Sequence, residues 1–284
     1  MNSFVRFVPA LFIFIWATGY IVAKVAAPHA EPLTFLLLRY LGVIALMSAL
    51  AFAARAPWPT REQAWHLSIA ALGINAIYLG GVWVAIKGGM PAGISALIVN
   101  VQPVLTAALA FFVGETVSRR QWLGVALGFG GVALVVWHKL TFAALPLGPV
   151  LLCVAALVGM TLGTLYQKKH VPQFDLRTGQ AVQCAASFLV TLPVAFATES
   201  FRVAWNAPFF AALAWSIGVL SAGGVTLMFY MLRSGKATTV TSYMYLVPAV
   251  TSIMAWALFG ELLTPTAIVG MFVTLFGVYL VAKK

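Results

Sequence analysis

Along the chain, long apolar runs alternate with short polar clusters. A membrane-spanning helix needs about 20 mostly apolar residues. Ten windows satisfy that length: 4–26, 32–54, 64–86, 91–113, 119–137, 147–167, 176–197, 208–230, 237–259 and 264–282. The clusters between them carry helix-start chemistry. Thr60-Arg61-Glu62-Gln63 and Ser118-Arg119-Arg120-Gln121 have the spacing of a capping box, and Thr264-Pro265 sets an N-cap before a proline at the first helical position. The first run has a basic flank and small residues at its end, as a secretory signal does. It is too long for one, and Lys24 sits where a cleavage site would fall.

Composition turns these windows into a class. Of the 284 residues 62% are hydrophobic and 8% charged, against about 45–50% and roughly 25% in a soluble domain. The pattern predicts an all-α integral membrane protein. The net charge of +11 is spread in ones and twos between the runs, with no basic stripe to hold nucleic acid. With the N-terminus inside, twelve of the Lys and Arg side chains fall on the inner face, while Lys24, Lys87, Lys139 and Arg202 fall outside. By the positive-inside rule both termini are cytoplasmic. Cys153 and Cys184 lie inside apolar runs and suggest neither a disulfide framework nor a thiolate site. His29, His66, His138 and His170 are scattered near run ends without metal spacing, so no metal or cofactor is expected.

The chain also repeats itself. Pro103 and Pro248 are 145 positions apart, as are Ala92 and Ala237, and Gly73 and Gly218. The offset is 146 for Glu115 with Glu261, Gly124 with Gly270 and Gly131 with Gly277, and 144 for Gly19 with Gly163, Lys24 with Lys168 and Pro28 with Pro172. This predicts two halves, 1–137 and 147–284, joined by a linker at 138–146. Each half holds five helices, an odd number, so the second half inserts upside down. Such inverted-topology repeats are associated with secondary transporters whose site lies near the midplane.

Several residues stand out chemically. Pro103 and Pro248 each remove a backbone hydrogen bond inside an apolar helix and free the carbonyls of Val99 and Met244, giving either a fixed kink or a hinge. Glu115 and Glu261 close those helices; they are ion-coupling carboxylates or, more simply, terminal charges that serve the next helix start. Glu31, Glu62, Asp175 and Glu199 also lie in or beside loops. No window holds a carboxylate at mid-depth, which argues against a proton-for-cation pump and for facilitated diffusion or exchange. Arg39, about two turns into the second helix, either faces a substrate carboxylate or snorkels and bonds backbone carbonyls. Gly128-Phe129-Gly130-Gly131-Val132-Ala133 fits a dinucleotide fingerprint but follows no strand; the faces Gly124, Gly128, Gly131 and Gly270, Thr274, Gly277 read better as close helix contacts, within or between chains.

The stretches FIWATGYIVAK (14–24) and LLLRYLGVIAL (36–46), with the twice-used apolar–Pro–apolar–Gly-Glu pattern, resemble the drug/metabolite transporter superfamily. Within it they resemble the EamA family, most nearly the YddG-type amino-acid exporters. That resemblance implies a basket of helices 1–4 and 6–9, with helices 5 and 10 as peripheral supports. It also implies a multi-pass monomer in the bilayer of a bacterial inner membrane, exporting aromatic and other neutral amino acids by alternating access. Efflux of drugs or other small metabolites is the alternative. Around the basket it places Trp16, Tyr20, Asn75, Tyr78, Asn100, Gln102, Met160, Thr164, Tyr230, Tyr243 and Tyr245 as cavity-lining candidates beside Arg39, with Asn100 and Tyr245 as repeat equivalents on a similar face. A polytopic enzyme would need a nucleophile–base pair, paired aspartates or a metal set within the membrane, and the chain offers none.

Overall fold

Side-chain caps begin four of the ten helices seen in the computed structural model, which describes residues 3–90, 95, 98–110, 114, 116–137, 147–234, 240, 243–259 and 265–282. They are α1 (Ser3–Ala26), α2 (Pro32–Ala53), α3 (Arg61–Lys87), α4 (Gln102–Leu109), α5 (Arg119–Trp137), α6 (Leu147–His170) and α7 (Leu176–Thr198). After these come α8 (Ala207–Arg233), α9 (Tyr243–Leu246 continued by Val247–Phe259) and α10 (Pro265–Ala282). Thr60 and Gln63 form the expected reciprocal box at the start of α3, and Ser118 and Gln121 do the same before α5. Asp175 and Asn206 cap α7 and α8 by accepting amide hydrogens from Arg177 and Phe209. Glu115, Glu261, Thr264, His138 and the 138–146 linker lie outside the described residues, as does the Lys24 side chain.

Among the described residues five helices, α2, α3, α6, α7 and α8, are long and apolar enough to cross a membrane, and shorter apolar stretches lie at Phe7–Ala23, Tyr243–Leu258 and Ile268–Val281. Among the packing partners are α2 with α7, α5 with α10, α3 with α6, α1 with α8, α1 with α9 and α4 with α6. Exchanging each helix of the first half for its counterpart in the second maps these six contacts onto one another. The α5–α10 contact is a backbone approach within one chain. A Cβ on Gly277 would stand 2.5 Å from the Gly128 nitrogen and 2.6 Å from the Gly124 carbonyl, and one on Gly124 would stand 2.6 Å from the Gly277 carbonyl.

Two kinds of irregularity recur at related positions. Leu72–Ile77 in α3 and Ser216–Val225 in α8 widen into π turns, the form that is frequent at functional sites. The helix also breaks just before each proline, with a turn at Asn100-Val101 and a 3-10 turn at Tyr243–Leu246. The expectation of prolines inside continuous helices is thereby corrected. Pro103 stands in the first turn of Gln102–Leu109, and Pro248 in the first turn of Val247–Phe259. There a missing N–H has no intrahelical partner to lose, and the fixed φ already suits the helix.

At one end of the bundle two loops exchange carboxylates. Glu199 accepts from the amides of Leu33 and Thr34 (2.8 and 2.7 Å) and from the Thr34 hydroxyl, covering the start of α2. Glu31 accepts from the amides of Ser200 and Arg202, with Lys87 Nζ 3.7 Å away. Desolvation pushes the Glu31 carboxyl up, but the Arg202 and Ser200 amides and the Lys87 charge outweigh it and hold the group below its ordinary value.

Candidate functional site

Two consecutive residues of α2 connect the two π turns. Arg39 Nε donates to Ser221 Oγ in the π turn of α8 at 2.8 Å, and the Tyr40 hydroxyl donates to the Asn75 carbonyl in the π turn of α3 at 3.0 Å. Both side chains are buried. Ser221 thus turns the guanidinium inward, which corrects the snorkelling alternative for Arg39.

Between these elements lies a narrow cleft that leaves about 60 Å³ of free space, below the ~300–1,000 Å³ of typical ligand sites, so a bound ligand needs its walls to part. Trp16, Tyr20, Arg39, Asn75 and Tyr78 all line it. One wall is a stripe of α3 in which Asn75, Leu79, Val82, Trp83 and Ile86 recur at helical spacing. The second half of the chain supplies Leu220 and Val225. Among the described residues no carboxylate lines it.

Trp16, Tyr20 and Tyr78 also bound a second, smaller void with only about 10 Å³ of free space, with Asn100, Gln102 and Met160 among its other walls. The three rings therefore partition the larger cleft from a pocket at the two proline breaks. Gln102 is buried in that pocket, and its Nε2 has no hydrogen-bond partner among the described residues.

The remaining candidates lie elsewhere. Tyr245 is buried against Val278, with Val104 beside it, and its ring sits over Gly128. The 3-10 turn carries 3.0 residues per turn, which swings Met244 to the pocket that Tyr245 was expected to share with Asn100. The Thr164 hydroxyl is turned back onto the Met160 carbonyl. Tyr243 is half-buried between two apolar clusters, and Tyr230 is exposed on α8. Several residues of the site, Trp83 and Ser221 among them, were not foreseen. Trp83 continues the α3 stripe that begins at Asn75, and Ser221 stands 146 positions after Asn75, an offset already present in the repeat.

Elsewhere, His66 Nδ1 lies 2.7 Å from the Tyr166 hydroxyl and the His66 ring stacks on His170, but this cluster is outside the cleft. Cys153 and Cys184 are buried free thiols. Among the described residues no His, Cys, Asp and Glu side chains are grouped for a metal.

Residues 7–137 and 147–283 each match the EamA-like transporter family. A relative from Bacillus subtilis (strain 168), named "Uncharacterized transporter YvbV", is 28% identical over 279 residues, covering 97% of this chain and 90% of its own length. One from Escherichia coli (strain K12), named "Probable amino-acid metabolite efflux pump", is 26% identical over 254 residues, covering 89% and 76%. A solved crystal structure superposes with a TM-score of 0.82 at 15% identity, over 99% of this chain and 98% of the other, a likeness of fold alone.

Proposed function

This chain belongs to the EamA-like transporter family, a multi-pass membrane family, and from that premise we propose that it is a secondary exporter of amino acids, aromatic and other neutral ones, working by alternating access. The observation that carries the reading is the cleft built by both halves of the chain and closed at its floor by Trp16, Tyr20 and Tyr78. The name of the Escherichia coli relative supports the substrate class. Aromatic and aliphatic walls with few polar groups suit side chains of varied size.

In this reading ten helices cross the inner membrane of a bacterium as two inverted five-helix halves, 1–137 and 147–284, linked at 138–146, with both termini in the cytoplasm and one chain as the working unit. The cleft reaches toward the ends of α1 and α3, where Ala23 and Ile86 lie, so the described conformation faces outward. Opening toward the cytoplasm requires the aromatic floor to part and the pocket at the proline breaks to widen. Rotation of half-helices about those breaks supplies that movement. With no described carboxylate in the cleft, a proton-for-cation exchange has no acid to use there, which favours amino-acid export over efflux of cationic drugs.

Counterflow in liposomes tests this. Protein loaded with unlabelled phenylalanine should accumulate labelled phenylalanine transiently, and leucine should compete. Absence of exchange for phenylalanine, leucine and tryptophan alike would overturn the amino-acid reading.

A further inference from the structure

A guanidinium inside an apolar helix bundle is tolerated when its charge and donors meet partners. Arg39 carries five N–H donors, and the structure engages one of them, Nε–H to Ser221 Oγ. It is 6% exposed and lines the cleft. No described carboxylate pairs with it; its electrostatic neighbours are Tyr40, Cys184 and Tyr78. The two terminal nitrogens have no protein partner among the described residues. Ser221 fixes the Nε edge, and this leaves the forked end of the guanidinium for a planar anion.

The rest of the cleft complements such a group. A carboxylate on the fork forms charge-assisted, bidentate hydrogen bonds. An ammonium on the adjacent carbon then faces the Asn75 side chain and the rings of Trp16, Tyr20, Tyr78 and Trp83, which attract cations through their negative faces. Ile74, Val82, Ile86 and Leu220 remain for an apolar side chain. With one buried cation and no described acid, the cleft repels a ligand that brings only positive charge.

We propose that Arg39, oriented by Ser221, is the receptor for the carboxylate of the transported substrate, so that the protein recognises amino acids through their acid group and discriminates against the corresponding amides and esters. This rests on the export reading above, and the two fail separately. Ser221 is a positioning residue in this scheme, because it acts by holding the guanidinium.

The test uses purified full-length protein, with ligand-dependent thermal stabilisation and liposome counterflow measured side by side. Phenylalanine and 3-phenylpropionate should raise the melting temperature of wild-type protein, and phenylalaninamide should need about 10- to 100-fold more ligand for the same shift, the range expected for losing a charged hydrogen-bond partner. Phenylalaninamide should compete correspondingly poorly in counterflow. Arg39→Lys, which keeps the charge but not the fork, should narrow the acid-to-amide ratio. Ser221→Ala should raise the half-saturating phenylalanine concentration with little change in maximal rate. Equal stabilisation by acid and amide, or none by phenylalanine, leucine or tryptophan, overturns the Arg39 assignment. Acid-selective stabilisation without any amino-acid exchange would leave the assignment standing and remove the export reading.

Discussion

Replacing Gly277 with alanine should lower stability sharply, whereas Gly130→Ala on the neighbouring helix should not. The Gly277 methyl would stand 2.5 Å from the Gly128 nitrogen, 2.6 Å from the Gly124 carbonyl and 3.0 Å from the Gly128 Cα. Ordinary contact begins about 1 Å farther out, and the obstructing atoms are backbone, so no rotamer change relieves them. Parting α5 from α10 by about 1 Å is an overpacking cost of roughly 1–3 kcal/mol. At about 2–4 °C per kcal/mol for a chain approaching this size, the melting temperature should fall by roughly 2–12 °C. A methyl on Gly130 meets nothing within 4 Å, and alanine favours the helix by up to about 1 kcal/mol. Unfolding followed through the nine tryptophans in a single detergent compares the two proteins, and light scattering during gel filtration shows whether either changes mass. Equal melting temperatures would refute the intramolecular glycine contact, and a change of mass in Gly277→Ala alone would move that contact to an interface between chains.

Pro103→Ala and Pro248→Ala should each slow counterflow several-fold while membrane insertion stays near wild type, since alanine allows the break to close into continuous helix; unchanged exchange by both removes the hinge role. Glu31 gives a pH signature. Its carboxyl is held below its ordinary value when folded, so its stabilising contribution is present above the unfolded value, about 4.3, and is lost as pH falls through the folded value. The melting-temperature gap between wild type and Glu31→Gln should therefore be widest near neutrality and close below about pH 4, and a pH-independent gap would contradict the exchange between the two loops.

The apolar helices, the repeat and the buried arginine were legible in the chain because each rests on a local or periodic signal: run length, the recurring Pro103 and Pro248, and a charge where lipid permits few. What escaped depends on meetings between distant segments. Arg39 and Ser221 are 182 positions apart, and nothing beside Arg39 distinguishes a snorkelling side chain from one tethered across the bundle. The Tyr245 ring points away from the cleft because Gly128 opens a slot for it, and neither sequence neighbourhood announces the other. The π turns were invisible for a different reason. Hydrophobic content is the same whether a helix closes its bonds four or five residues back, so Leu72–Ile77 reads like its flanks. The proline breaks were only half legible, since the residue type marks a disruption but not which side of it unwinds.

The paired π turns have a mechanical consequence. Each holds surplus residues in a helix that keeps its overall hydrogen-bonded course, much as a dislocation holds an extra row of atoms in a crystal. Moving such a defect by one turn rotates the residues it passes by about 100°, the angle of one helical step, while the ends of the helix stay where their caps hold them. On α3 that rotation would carry Asn75 away from the cleft, and on α8 it would withdraw Ser221 from Arg39. Side chains that hold a ligand could thus be engaged or retracted by a slip within two helices, without translating either one through the bilayer.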